Sequence, residues 1–155
     1  MEKLVLYKPL IVIACMAVLT ASALAITGRV PVMDGLMGMF LCLLALVKFF
    51  NLPGFASLFS KYDPLAARVK IYGSLYPLIE LGLGLFYLAG LAPLFTNVAL
   101  IIILLASTIG ILKTIRSGIS VRCGCVGADF ALPVGWVTVF ENLVMMTMAT
   151  ANILR

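Results

Sequence analysis

Residues 71–90 read IYGSLYPLIELGLGLFYLAG, twenty residues whose one formal charge is Glu80, near the middle. A helix rises about 1.5 Å per residue, so this stretch is long enough to cross the roughly 30 Å apolar core of a bilayer. An ionised carboxylate at the centre of such a helix costs about 2.5–3.5 kcal/mol even on the mild insertion scale. Glu80 must therefore turn away from lipid, and that requires other helices around it. The stretch predicts a membrane helix bundle with a polar interior.

The rest of the chain agrees. Of its 155 residues 64% are apolar and 11% charged, against roughly 25% charged in soluble domains. Mean hydropathy is +1.22. The length leaves room for one transmembrane domain, residues 1–155. The net charge of +5 reads as Lys and Arg kept on cytoplasmic loops. The expected surroundings are a lipid bilayer, and no nucleic acid partner is expected. The chain contains no His, so neither a haem nor a His-bound zinc site is available. Chemistry here must use Cys, Met, Asp, Glu, Lys or Tyr.

Five segments are long enough to span: Leu6–Ile26, Val32–Phe50, Ile71–Gly90, Leu94–Leu112 and Pro133–Leu154. Lys3, Lys8 and Ala23-Leu24-Ala25 give the first the outline of a signal peptide. Its apolar stretch is nonetheless long enough to cross, and it is read as a retained helix. Between the second and third segments, Phe55, Leu58, Phe59, Tyr62 and Val69 fall on one helical face. That pattern predicts a short amphipathic interfacial helix, broken at Asp63-Pro64. The expected fold is all-α, with five transmembrane helices and this short piece between the second and third.

With five spans the termini lie on opposite sides. Lys3, Lys8, Lys48, Lys61, Arg68, Lys70, Lys113, Arg116 and Arg122 fall on the N-terminal side, and Arg29 and Arg155 on the other. That bias predicts an inner-membrane protein with a cytoplasmic N-terminus and the C-terminus outside. The loop before the last segment is then cytoplasmic. It carries Cys123-Gly124-Cys125. Two thiols one residue apart, with a glycine that lets the backbone bend, chelate a soft metal or cycle between dithiol and disulfide. A reducing cytoplasm favours a metal site or transient redox chemistry over a permanent disulfide.

Four further residues share one estimated depth, about 12–14 Å below the cytoplasmic surface. They are Cys15, Cys42, Glu80 and Glu141, one on each of four segments. Lys48 reaches in from the same side as a counter-ion for a carboxylate. The third segment aligns Gly73, Tyr76, Glu80, Gly84 and Tyr87 on one face. The fifth aligns Thr138, Glu141, Met145, Met148 and Asn152. Gly35, Gly38, Cys42 and Ala45 form a small-residue stripe on the second, as do Ala17, Ala21 and Ala25 on the first. Such stripes let helices approach closely. A Cys or Met in an apolar helix is ordinarily packing. An intramembrane carboxylate is not.

These residues resemble the MauE/DoxX-like family of redox-associated membrane proteins. The likeness runs from about Met33 onward. It is carried by Gly54-Phe55-Ala56, Tyr62-Asp63, Tyr76-Pro77-Leu78-Ile79-Glu80-Leu81-Gly82-Leu83-Gly84, Cys123-Gly124-Cys125-Val126-Gly127, Leu132-Pro133 and Thr138-Val139-Phe140-Glu141-Asn142-Leu143. The resemblance implies a four-helix membrane bundle with one added span. It also implies redox or soft-metal work. MauE itself is associated with maturation of a disulfide-rich methylamine dehydrogenase subunit, a periplasmic substrate, whereas charge counting puts these thiols in the cytoplasm.

Two readings follow. In the first, Cys123 and Cys125 are a redox dithiol serving a partner protein, with Glu80 and Glu141 as proton acceptors and Cys15 or Cys42 as a relay. In the second, Cys123, Cys125, Cys15, Cys42, Met145 and Met148, with Met33 and Met37, bind or pass Cu(I) or Hg(II), delivered by a metal-carrier protein. Thiolate and thioether are the ligands such ions prefer. A third, blander reading is a partner subunit without chemistry of its own.

Overall fold

The segment 71–90 becomes one helix, ended by Gly90 in the left-handed region (φ 64°). The backbone N–H of Gly90 bonds Tyr87 and that of Leu91 bonds Phe86, which satisfies carbonyls that a helix end leaves open. The computed structural model describes residues 8–26, 28, 30–118 and 136–154. Every element among them is helical: α1 Lys8–Ile26, α2 Val32–Phe49, α3 Leu52–Phe59, α4 Pro64–Arg68, α5 Lys70–Ala89, α6 Pro93–Arg116 and α7 Trp136–Ile153.

Three helices are long and apolar enough to cross a membrane: α2, α5 and α6. In α1 the apolar helix is shorter, Leu10–Ile26. The 18 residues of α7 include Glu141, Asn142 and Asn152, which lower its apolarity. The fourth expected segment runs past Leu112 to Arg116. Large apolar side chains such as Ile11, Leu19, Ile71, Leu85, Ile102 and Phe140 stand exposed around the outside. A surface of that kind belongs in lipid, and the chain is a multi-pass membrane protein.

The small-residue stripes set the packing. α2 packs against α5 and α1, and α6 against α7. At the α2–α5 crossing Gly38 and Gly84 face each other. A Cβ on Gly38 would meet the Gly84 carbonyl at 2.8 Å, and one on Gly84 would meet Cys42 Sγ at 2.7 Å. Gly35 lies against Ala21 of α1 in the same way, at ordinary contact distance. The aligned face of the third segment is the inward face: Gly73, Tyr76, Glu80, Gly84 and Tyr87 are all buried.

The amphipathic piece is broken at Asp63-Pro64, as expected. It is two helices, α3 and α4, joined by a turn. Asn51 caps the first, its side chain accepting from the Gly54 N–H, and Asp63 caps the second, accepting from Leu65 and Ala66. Pro64 occupies the first turn of α4, where its missing N–H costs nothing. The reorientation at Asp63-Pro64 takes Val69 off the shared face and leaves it exposed. Phe55, Phe59 and Tyr62 pack inward with Tyr76. Gly110 of α6 makes room for the turn, since a Cβ there would strike the Tyr62 carbonyl.

Gly84→Val places a branched side chain against the α2 backbone, and overpacking of this kind costs about 1–3 kcal/mol. Gly82 has open space where its Cβ would stand, and Ala in a helix is favoured over Gly by up to about 1 kcal/mol. Thermal unfolding in detergent is expected to fall clearly for Gly84→Val and to hold or rise for Gly82→Ala. Equal melting of the two variants would remove the crossing as the reason for the glycine.

Candidate functional site

Lys48 and Glu80 meet inside the bundle. The Lys48 Nζ donates to Glu80 Oε1 at 2.7 Å and to Oε2 at 2.5 Å, with the two residues 3% and 7% exposed. The ammonium also lies 5.6 Å from the Phe55 ring centroid and 5.4 Å from that of Tyr76, within cation–π range. Phe55 and Phe59 stack at 5.2 Å, and Phe59 and Tyr76 lie 4.5 Å apart. The aromatic side chains of α3 thus close over the ion pair.

Backbone chemistry places Glu80 there. Pro77 sits inside α5, which continues through it, and has no N–H to donate to the Gly73 carbonyl. Its ring presses on that same carbonyl. Gly73 has no Cβ to add to the crowding, and α3 comes close there, at Ala56. One helical turn beyond Pro77, Glu80 faces α2.

Glu141 lines the same pocket as Lys48 and Glu80, together with Tyr76, Ser107, Thr138, Asn142 and Met145. The two carboxylates are brought together, as the sequence depth implied. Their partners differ. Glu80 is paired with Lys48, whereas Glu141, half-buried, has no hydrogen bond or ion pair among the described residues. Asn142, its neighbour in sequence, donates to the Thr108 Oγ1 at 3.0 Å and so ties α7 to α6. The pocket is narrow, with a volume of about 40 Å³, room for a water or two.

Of the other expected members, Cys15 does not join the carboxylates, whereas Cys42 lies near enough to Glu80 to feel its charge. Cys15 is exposed on α1, and Cys42 sits half-buried in the α2–α5 crossing; neither lines the pocket. The four-residue layer is therefore a two-carboxylate layer with Lys48. The rotation of α1 turns Cys15 outward, and Cys42 faces the Gly84 side of the α2–α5 crossing. Among the described residues, no three His, Cys, Asp or Glu side chains are grouped to hold a metal ion. Met145 is buried beside Glu141, and Met148 lies further along α7, in an apolar groove with Met37. Cys123 and Cys125 lie outside the described residues.

The aromatic roof and the polar contacts at the opposite end were not read from the sequence. There the Tyr87 hydroxyl donates to Asn97 Oδ1 at 2.6 Å, and the Asn152 side chain to Asp34 Oδ1 at 2.6 Å. Asp34 and Asn97 each stand one to four residues inside a helix start, a position easily taken for a solvated end.

A family model described as Methylamine utilisation protein MauE matches residues 10–155. The chain belongs to that family. Comparisons with curated proteins and with solved structures each found no match. The match takes in every helix from Leu10 onward, so both carboxylates, Lys48 and the Cys-Gly-Cys segment belong to the MauE-type portion of the chain.

Breaking a buried ion pair from one side leaves a bare charge and costs about 3–5 kcal/mol, while replacing both partners costs far less. Lys48→Met should therefore melt well below the parent, and Lys48→Met with Glu80→Gln should recover most of the loss. Thermal denaturation of the purified variants checks this; a double variant no better than the single one would mean that the pair does not govern stability.

Proposed function

We propose that this MauE-family protein is a thiol-redox protein of the inner membrane, with Cys123 and Cys125 as its working dithiol. The observation that carries the reading is the carboxylate pocket: Glu80 held by Lys48, and Glu141 beside them with no such partner. Closing a dithiol to a disulfide releases two protons along with two electrons. Glu141 is the group placed to take up and pass protons, and Glu80 is already engaged by Lys48. Cys123 and Cys125 belong to the chain joining α6 to α7, and Glu141 stands five residues into α7 from Trp136.

In this reading α1 and α7 complete a five-span bundle around α2, α5 and α6. The charge bias puts the N-terminus and the Cys-Gly-Cys segment on the cytoplasmic side and the C-terminus outside. The dithiol serves the redox state or maturation of a partner protein. Cys42 is a small residue of the helix crossing, and Cys15 is a lipid-side residue.

Each single variant, Cys123→Ser or Cys125→Ser, is expected to abolish the reversible two-thiol titration of the purified protein, since one thiol cannot close a ring. In intact cells an impermeant maleimide should leave both thiols unlabelled, and should label them after permeabilisation. Stoichiometric Cu(I) binding that disappears in Cys123→Ser, with no reversible disulfide, would replace this reading with the soft-metal one.

A further inference from the structure

α7 leans on α6, and α1 leans on α2. Between α7 and the α1–α2 pair runs a groove of about 300 Å³, walled by Ala14, Val18, Phe40, Phe140 and Met148. The volume is that of a small-molecule site, apolar with few polar groups. At its far end Asn152 of α7 is tied to Asp34 of α2. Among the described residues lining it, the one charged residue is Glu141, which also lines the Lys48–Glu80 pocket. A single carboxyl group thus separates a lipid-side apolar groove from a buried polar site.

We propose that this groove binds a lipid-soluble quinone, with the ring at Glu141 and the apolar tail along the α1–α7 wall. The carboxyl decides the occupant. A lipid acyl chain would offer Glu141 nothing but hydrocarbon, at a desolvation cost with no return. A lipophilic cation would meet Lys48 in the adjoining pocket. A neutral quinone ring fits in both of its states: a quinone carbonyl accepts from protonated Glu141, and a hydroquinone hydroxyl donates to the ionised form. The groove also supplies what the thiol reading lacks, an electron acceptor, and on that point the inference rests on the proposed function. Two S–H bonds of Cys123 and Cys125 break and one S–S bond forms. The two electrons and two protons pass to the quinone, whose carbonyl oxygens become the hydroxyls of a hydroquinone. Glu141 delivers a proton to the nearer oxygen and is recharged from the Lys48–Glu80 pocket.

Trp136 is the only tryptophan in the chain and stands about 7.5 Å along α7 from Glu141. The test uses the purified full chain in lipid nanodiscs, titrated with a short-tailed benzoquinone while Trp136 fluorescence is followed. Saturable quenching is expected, weakened about tenfold or more by Ala14→Phe, which fills the groove from its exposed side, and likewise by Glu141→Ala. Cys123→Ser with Cys125→Ser should leave the binding unchanged. Quenching that rises without saturation and is the same in every variant overturns the site. So does displacement of the quinone by oleate or tetraphenylphosphonium at equal concentration, which would identify an acyl chain or a cation as the occupant. Saturable binding without quinone reduction by the dithiol form supports the site and overturns the thiol reading. A reversible dithiol with no quinone binding does the reverse.

Discussion

The Lys48–Glu80 ion pair sets the geometry of the bundle. Neither charge is tolerable in lipid alone, so α2 and α5 must bring them together. The two helices run antiparallel, with Gly38 opposite Gly84 at the crossing. Along α2, Lys48 lies ten residues from Gly38, about 15 Å; along α5, Glu80 lies four residues from Gly84, about 6 Å. The difference is made up by side chains leaning toward each other. Lys48, next to the last residue of α2, bends into the bundle, against the usual tendency of a lysine near a helix end to reach outward to water. Phe55 and Tyr76 then cover the ammonium. The short helix α3 is held where it is by what lies beneath it.

Glu141 differs from the paired inward polar groups described above. The Tyr87–Asn97 and Asp34–Asn152 bonds fasten one end of the bundle, and Asn142–Thr108 fastens α7 to α6 midway. These contacts are closed: donor and acceptor satisfy each other, and their removal would loosen packing. Among the described residues no fully buried side-chain nitrogen or oxygen lacks a partner. Glu141 escapes that description because it is only half-buried and faces two cavities. A carboxyl held near a satisfied ion pair, with access on two sides, can change its proton without dismantling the fold.

Much of this was legible in the sequence, for a simple reason. Where lipid surrounds the chain, polarity has few places to go, so Glu80, Glu141 and Lys48 announce their own burial. The inward face of the third segment, from Gly73 to Tyr87, followed from helical spacing alone. Family membership was also carried by local motifs around Glu80 and Glu141. The rest was less accessible because cysteine carries no such penalty. Cys15 and Cys42 are compatible with lipid, a crossing or a site, and axial depth says nothing about rotation about the helix axis. The amphipathic piece was legible in part: its break at Asp63-Pro64 could be read, but Phe55, Phe59 and Tyr62 suit a membrane interface and a bundle interior equally well. Only the ion pair below them selects the interior.

The placement of the cysteines bears on how electrons could move. A thiol relay through the helices needs sulfurs within reach of one another. Cys42 is committed to the α2–α5 crossing, with its sulfur where a Gly84 Cβ would be, while Cys15 is exposed on α1. In the described part of the bundle, Glu80, Glu141 and Lys48 line one pocket, and neither Cys15 nor Cys42 lines it. In the thiol-redox reading proposed above, a second redox partner has to take up the electrons of the dithiol. It comes from the aqueous side as another protein, or from the membrane as a small carrier. The apolar groove that reaches Glu141 is bordered by exposed apolar side chains such as Val18 and Phe140, and in that reading the carboxyl and the groove act as one device.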